Sequence, residues 1–305
     1  MWFKNLNVYK LINFNATEEE IAEKLAEKAF KPCDPHDEKS AGWISPIDDE
    51  MDGLVHTAKG RHIISLKTEE KKVPASVINE ELKSRISKMR KENPDLGKIS
   101  RQTKSNLKDE IRNEMLPDAF SKIGRTRAYI DTKLEILVID NASRTKAELF
   151  IQMLKVTLDG DYKCLPLQTK HEVSEEMAGW LKDGEAPESL EVGQRCQLRD
   201  LGDLGTIKYA KHALDDAKLI GYLRDDKTVS ELELTWDEGV RFLLTEDFMM
   251  KGIKFDAKIQ DQSKEDNTEN EIDEFDSEFN IMTDILALFI PHMTKVLGGE
   301  HVEEE

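Results

Sequence analysis

Cysteine is scarce in this sequence: Cys33, Cys164 and Cys196 are the only three in 305 residues, an odd and widely scattered set. That excludes a disulfide framework and fits reduced thiols in a core. Long hydrophobic runs are also missing. No stretch approaches the ~18 consecutive apolar residues of a membrane span. The amino terminus runs straight into Met1-Trp2-Phe3-Lys4-Asn5-Leu6 without a signal-peptide pattern, so a cytoplasmic protein with no membrane partner is expected. Catalytic signatures are absent as well. There is no Gly-x-x-x-x-Gly-Lys-Ser/Thr, no Gly-x-Gly-x-x-Gly, no His-Glu-x-x-His and no Gly-x-Ser-x-Gly, which argues against ATP-driven chemistry and calls for no cofactor.

What the chain does have is charge, distributed unevenly. Charged residues make up 35% of it and the net is −18. Yet Lys67 to Arg127 holds sixteen Lys and Arg against ten Asp and Glu, a net of about +6, which leaves about −24 for the rest. A surface that repels phosphate nearly everywhere will accept a polyanion only where its basic element points.

Periodicity predicts an α+β fold with mixed, mainly antiparallel sheets. Trp2 to Ile12 reads as a strand, and Thr17 with Glu20 forms a capping box for a helix reaching Ala29. Val55–Ala58 and Arg61–Thr68 flank Lys59-Gly60 as a hairpin. Pro74 opens a helix carrying Ile78, Leu82, Ile86 and Met89, and Asn93-Pro94 stops it. A second helix from Ser100 sets Arg101, Lys104, Lys108 and Arg112 in one cationic stripe beside an apolar stripe of Leu107, Ile111 and Met115. The two form a protruding basic helical hairpin, residues 74–117, inserted in an N-terminal α+β domain of residues 1–160.

Strands follow at 127–130 and 134–140, then a helix near Ser143 carrying Leu149, Met153 and Val156. A C-terminal α+β domain, residues 161–305, is expected to contain a helix at 173–181, strands at 193–198 and 206–210, and a helix at 214–223. Strands at 229–236, 240–245 and 252–255 precede a helical ending, acidic over 260–278 and then, over 279–297, carrying apolar residues at Ile281, Ile285, Leu288, Phe289 and Val296.

Smaller motifs carry less. Cys33-x-x-His36 lacks a second pair at zinc-finger spacing, so no metal is expected. His56 and His62 sit in one hairpin, where they either face each other or serve as surface polar positions. Asp48-Asp49-Glu50 with Asp52 reads as a solvated turn, and the acidic run from Asp261 lacks the calcium-loop glycine. Gly202-Asp203-Leu204-Gly205 is a weak match to a backbone-clamping loop, since Asp203 opposes phosphate. Lys208, Lys211 and His212 place three donors within a short span after it.

Taken end to end, the sequence resembles the RdgC family, the recombination-associated proteins of proteobacteria. The resemblance rests on Trp2-Phe3-Lys4-Asn5-Leu6, Ala29-Phe30-Lys31-Pro32-Cys33, Gly42-Trp43, Leu107-Lys108-Asp109-Glu110, Leu116-Pro117-Asp118-Ala119-Phe120-Ser121, Ile130-Asp131, Ile281-Met282-Thr283 and Leu297-Gly298-Gly299-Glu300. It implies a non-enzymatic protein that closes as a ring-shaped homodimer around double-stranded DNA, with little sequence preference, and restrains RecA-promoted recombination in the nucleoid. It implies dimer contacts at Leu116, Pro117 and Phe120, near the tip of the hairpin, and at Lys211 with His212, where relatives have Lys-Gln. DNA contact is expected at Arg101, Lys104, Lys108, Arg112, Lys208, Lys211 and His212. Two other readings stay open: an adaptor whose basic hairpin docks an acidic protein, and a nuclease.

Overall fold

The structure, a computed structural model, describes all residues except 49–52, 95–96, 188, 201–204, 211–213, 215–216, 225–226, 238, 266–269 and 302–305. In chain order the elements are β1 (Asn5–Ile12), α1 (Glu18–Glu27), β2 (Lys39–Ile44), β3 (Val55–Ala58), β4 (Arg61–Lys71), α2 (Ala75–Glu92), α3 (Arg101–Met115), β5 (Ser121–Asp131), β6 (Ile136–Ile139), α4 (Arg144–Leu158) and β7 (Lys163–Pro166). Then come α5 (Val173–Asp183), β8 (Leu190–Asp200), β9 (Thr206–Ala210), α6 (Ala217–Arg224), β10 (Lys227–Trp236), β11 (Val240–Thr245), β12 (Met250–Phe255), α7 (Ala257–Glu265) and α8 (Glu271–Val296). Among the described residues no helix is long and apolar enough to cross a membrane.

The strands join in one twelve-stranded antiparallel sheet, ordered β2-β4-β5-β6-β1-β12-β11-β10-β8-β9, with β3 on β4 and β7 on β1. The stitch is β1. It pairs Asn7 to Lys10 with β6, and its other edge is divided between β12 at Asn5 and Leu6 and β7 at Tyr9 to Ile12.

Alternation along β1 sends Leu6 and Val8 to one face and Tyr9 and Leu11 to the other, which creates two cores. One core lies between the sheet and α5, α6 and α8. The other lies beneath α1 and α4. In the larger core α8 reaches both halves of the sheet: Phe279 packs edge-on against Tyr129 of β5 at 6.2 Å, and Phe289 against Phe242 of β11 at 4.9 Å. Arg61, 8% exposed, adds a polar tie, with Nε donating to Asp131 at 3.0 Å and Nη1 to Thr283 at 3.1 Å.

Several expectations hold in detail. The Thr17–Glu20 capping box forms with both of its hydrogen bonds, and β9 and β11 have the expected ends. Others need correction. On α4 the buried series is Ala147, Phe150, Leu154 and Thr157, while Leu149 and Val156 are 38% and 64% exposed. Trp43 decides it: its ring meets Phe150 edge-on at 5.3 Å and its Nε1 donates to Thr157 Oγ1 at 2.8 Å. α8 starts at Glu271 and joins the end of the acidic helical segment to the apolar one, because Asn270 accepts from the backbone of Ile272 and Asp273 and three acids in its first turn suit the helix dipole. Its buried series is Phe275, Phe279, Met282, Leu286, Phe289, Ile290 and Met293, so Leu288 points out at 66% exposure.

The strand β2 has no counterpart among the expected elements. It exists because Lys39–Ile44 pairs with Ser65–Glu70 of β4, and on its other edge Phe30 donates to the Trp43 carbonyl at 2.9 Å, so close that a Cβ on Gly42 would stand 2.6 Å from the Phe30 nitrogen.

Candidate nucleic-acid interface

The helix pair α2–α3 is built as expected from its caps. Pro74 precedes α2 in extended conformation, and Ser100 Oγ accepts from Thr103 N at 3.0 Å to start α3. The pair has a small core of its own, with Ile78, Leu82 and Ile111 buried and Ile86, Leu107 and Met115 packed against them. Arg85 clamps the two helices. Its Nε donates to Glu81 at 3.1 Å and its Nη1 to Glu114 at 3.1 Å. Those hydrogen bonds, Glu114 first, hold the guanidinium firmly protonated and the Glu114 carboxyl below its ordinary range.

Charge along the pair is graded. β4 ends and β5 begins side by side, with Lys71 opposite Ser121, so the chain leaves and re-enters the sheet at one point. The opposite end, around residues 88–104, contains Lys88, Arg90, Lys91, Lys98, Arg101 and Lys104 against Glu92 and Asp95. All six cations are exposed, and none has an acidic partner among the described residues. Toward the sheet the balance reverses, with Asp109, Glu110, Glu114 and Asp118 against Lys108 and Arg112.

This redistributes the predicted site. Arg101 and Lys104 stand free at the far end, Lys108 is half-buried, and Arg112 is held by Asp109 at 3.3 Å. The sequence stripe on α3 leaves out Lys88, Arg90 and Lys91, whose signal is the dense run closing α2. Arg125 and Arg127, part of the basic stretch, are tied to the fold: Arg125, though exposed, donates from Nε to Ser65 Oγ at 3.1 Å, and the half-buried Arg127 from Nε to the Pro46 carbonyl at 2.9 Å. Lys208 is exposed on β9, whereas Lys211, His212 and most of the Gly202–Gly205 loop lie outside the described residues.

Phe120 is 93% exposed, but it is not at the tip of the hairpin as expected: its carbonyl accepts from Lys72 N at 3.3 Å, which puts it at the sheet end of the helix pair. It is therefore one helix length, about 22 Å, from the cationic end. Pro117 is exposed beside it, while Leu116 turns inward at 2% exposure and offers no contact surface. Val77 and Ile123, 42% and 53% exposed, extend the apolar surface at this base.

The minor motifs resolve simply. His56 and His62 do not face each other: they occupy adjacent register positions, opposite Ile63 and Thr57, on opposite faces. His56 Nε2 pairs with Asp276 at 2.9 Å, and His62 Nδ1 with Thr57 Oγ1 at 2.8 Å. Cys33 lies against the Glu69 carbonyl and His36 is exposed. Among the described residues no group of three or more His, Cys, Asp or Glu is placed to hold a metal ion.

Fold and charge together define a class: an α+β protein built on one continuous antiparallel sheet, with a concentrated set of free cations able to form charge-assisted hydrogen bonds to phosphate oxygens. The family model described as "Putative exonuclease, RdgC" matches residues 1–300. The chain is 32% identical over 302 residues to the recombination-associated protein RdgC of Yersinia enterocolitica, covering 98% of this chain and 99% of that one. It is 32% identical over 303 residues to the proteins of that name from Salmonella paratyphi B and Salmonella typhimurium. The chain belongs to the RdgC family, a family of recombination-associated proteins.

Proposed function

We propose that this protein binds double-stranded DNA without strong sequence preference, encircles it as a homodimer, and restrains RecA-promoted recombination by occupying the duplex. No bond is broken in this mechanism. Such a protein would reside in the cytoplasm with the nucleoid.

The observation that carries the reading is the far end of α2–α3. Arg101 and Lys104 occupy the first turn of α3, where no acid is present. The dipole of a helix favours acids there, and cations in that turn forgo about 0.3–1 kcal/mol each. In a chain with 62 acidic residues to draw on, that arrangement is best satisfied by an external anion. The stripe holds no Asn- or Gln-rich base-reading pattern, which favours backbone contact over sequence readout.

Arg101→Glu with Lys104→Glu tests the reading in a gel-shift titration on random-sequence duplex, run with magnesium and with EDTA. The expected outcome is weaker binding to every duplex alike, with the log–log salt slope reduced by about 0.9 for each phosphate that is no longer neutralised. Unchanged affinity in the variant would sink the assignment of the site. No binding by the wild type at physiological salt favours the adaptor, and magnesium-dependent loss of substrate favours the exonuclease that the family model describes.

A further inference from the structure

The second half of the sheet is covered on one face only. Alternation puts Cys196, Leu198, Leu232, Leu234, Phe242 and Leu244 into the core beneath α5, α6 and α8. On the reverse face Arg195 of β8, Lys208 of β9, Arg241 of β11 and Lys254 of β12 are all exposed, and none has an acidic partner among the described residues. Arg241 and Lys254 are direct cross-strand partners. Like charges directly opposite one another destabilise a sheet. Here the pair persists without a carboxylate between them, in a chain with eighteen more acids than bases.

Three acids at this face are already occupied. Glu231 pairs with Lys251 at 3.0 Å, Glu233 accepts from the Gln194 backbone at 2.9 Å, and Glu246 holds Arg199 at 2.8 Å. Glu191, in the row of Thr235 and Arg241, is the exposed acid left over. The remaining positions include Thr206, Thr228, Thr235 and Gln197, donors of the kind that touch phosphate, and the face lacks the aromatic centre of a protein–protein contact. From β12 to β9 it crosses four strand spacings, about 19 Å, enough for a duplex to lie against it.

We propose that this uncovered sheet face is a second duplex-DNA surface, with Arg195, Lys208, Arg241 and Lys254 as phosphate donors, separate from the α2–α3 end. The inference rests on the duplex-binding reading above.

Lys254→Glu separates a ligand-binding role from a structural one, because it turns a repulsive cross-strand pair into an attractive one. The expected result is a melting temperature equal to or above wild type, together with several-fold weaker binding to random duplex and a salt slope reduced by about 0.9. Arg195→Glu with Lys208→Glu should weaken binding likewise at the other side of the face. If both sheet variants bind as wild type does while Arg101→Glu with Lys104→Glu is impaired, the sheet face is not a DNA surface and the proposed function stands. If wild type itself fails to bind duplex, both fall together.

Discussion

At the scale of single residues, the fold uses titratable groups in opposite ways. Arg61 is buried but satisfied by Asp131 and Thr283, whereas His62, 7% exposed, has as its side-chain partner among the described residues the Thr57 hydroxyl on its Nδ1. Burial pushes the His62 imidazole below its ordinary value, with the Glu18 charge opposing weakly. The unfolded chain therefore binds a proton that the folded chain resists. Stability from this group is full above about pH 6.5 and is lost as pH falls toward the depressed folded value. Melting followed from pH 7 down to pH 5 should show a decline that His62→Gln removes, while the carboxylates still titrate lower. An unchanged slope in the variant would mean that the imidazole is not what couples stability to pH in this window. Nothing in the local sequence announces this. His62 reads as one polar position in a hairpin, and only pairing with β3 on one side and β5 on the other buries it.

Among whole elements, legibility follows how local the signal is. The capping box of α1, the Pro74 and Ser100 starts and the strand ends of β9 and β11 are written in residues that touch one another along the chain, and all are readable. The inward faces of α4 and α8 are not. Each helix carries two apolar series at helical spacing, and on α4 the choice between them belongs to Trp43, which the chain delivers from β2. β2 itself is hard to see because Gly42 has no side chain to mark it and its purpose is the approach of Phe30. For the candidate site, the composition of the basic stretch is legible, but its grading along α2–α3 needs the antiparallel return of the chain. That pair has a core apart from the two main ones, so it should open as a separate unit. Removing the clamp with Arg85→Ala is expected to speed amide hydrogen exchange across α2 and α3 while the main melting transition stays in place. Uniformly unchanged exchange would show that Ile78, Leu82 and Ile111 hold the pair without the clamp.

For the molecule as a whole, the free cations of α2–α3 and the exposed apolar residues Val77, Phe120 and Ile123 lie at opposite ends of one arm, and that separation makes assembly and binding independently testable. A side chain as large as Phe120 that is 93% exposed contributes almost nothing to the folded monomer, because folding removes almost none of its surface from water. With Val77 and Ile123 nearby it forms the kind of apolar anchor that a two-fold contact buries, and such a contact uses the same patch from both copies. If the proposed homodimer closes through this patch, Phe120→Ala should leave the melting of the isolated chain at low concentration unchanged and shift the mass in light scattering from dimer toward monomer. If DNA is held by encirclement, the same variant should dissociate faster from closed circular duplex, although every cation at the far end of α2–α3 and on the sheet face remains. A variant that stays dimeric would place the closing contact elsewhere. One that becomes monomeric yet leaves circular DNA as slowly as wild type would show that the cations alone, without a closed ring, retain the duplex.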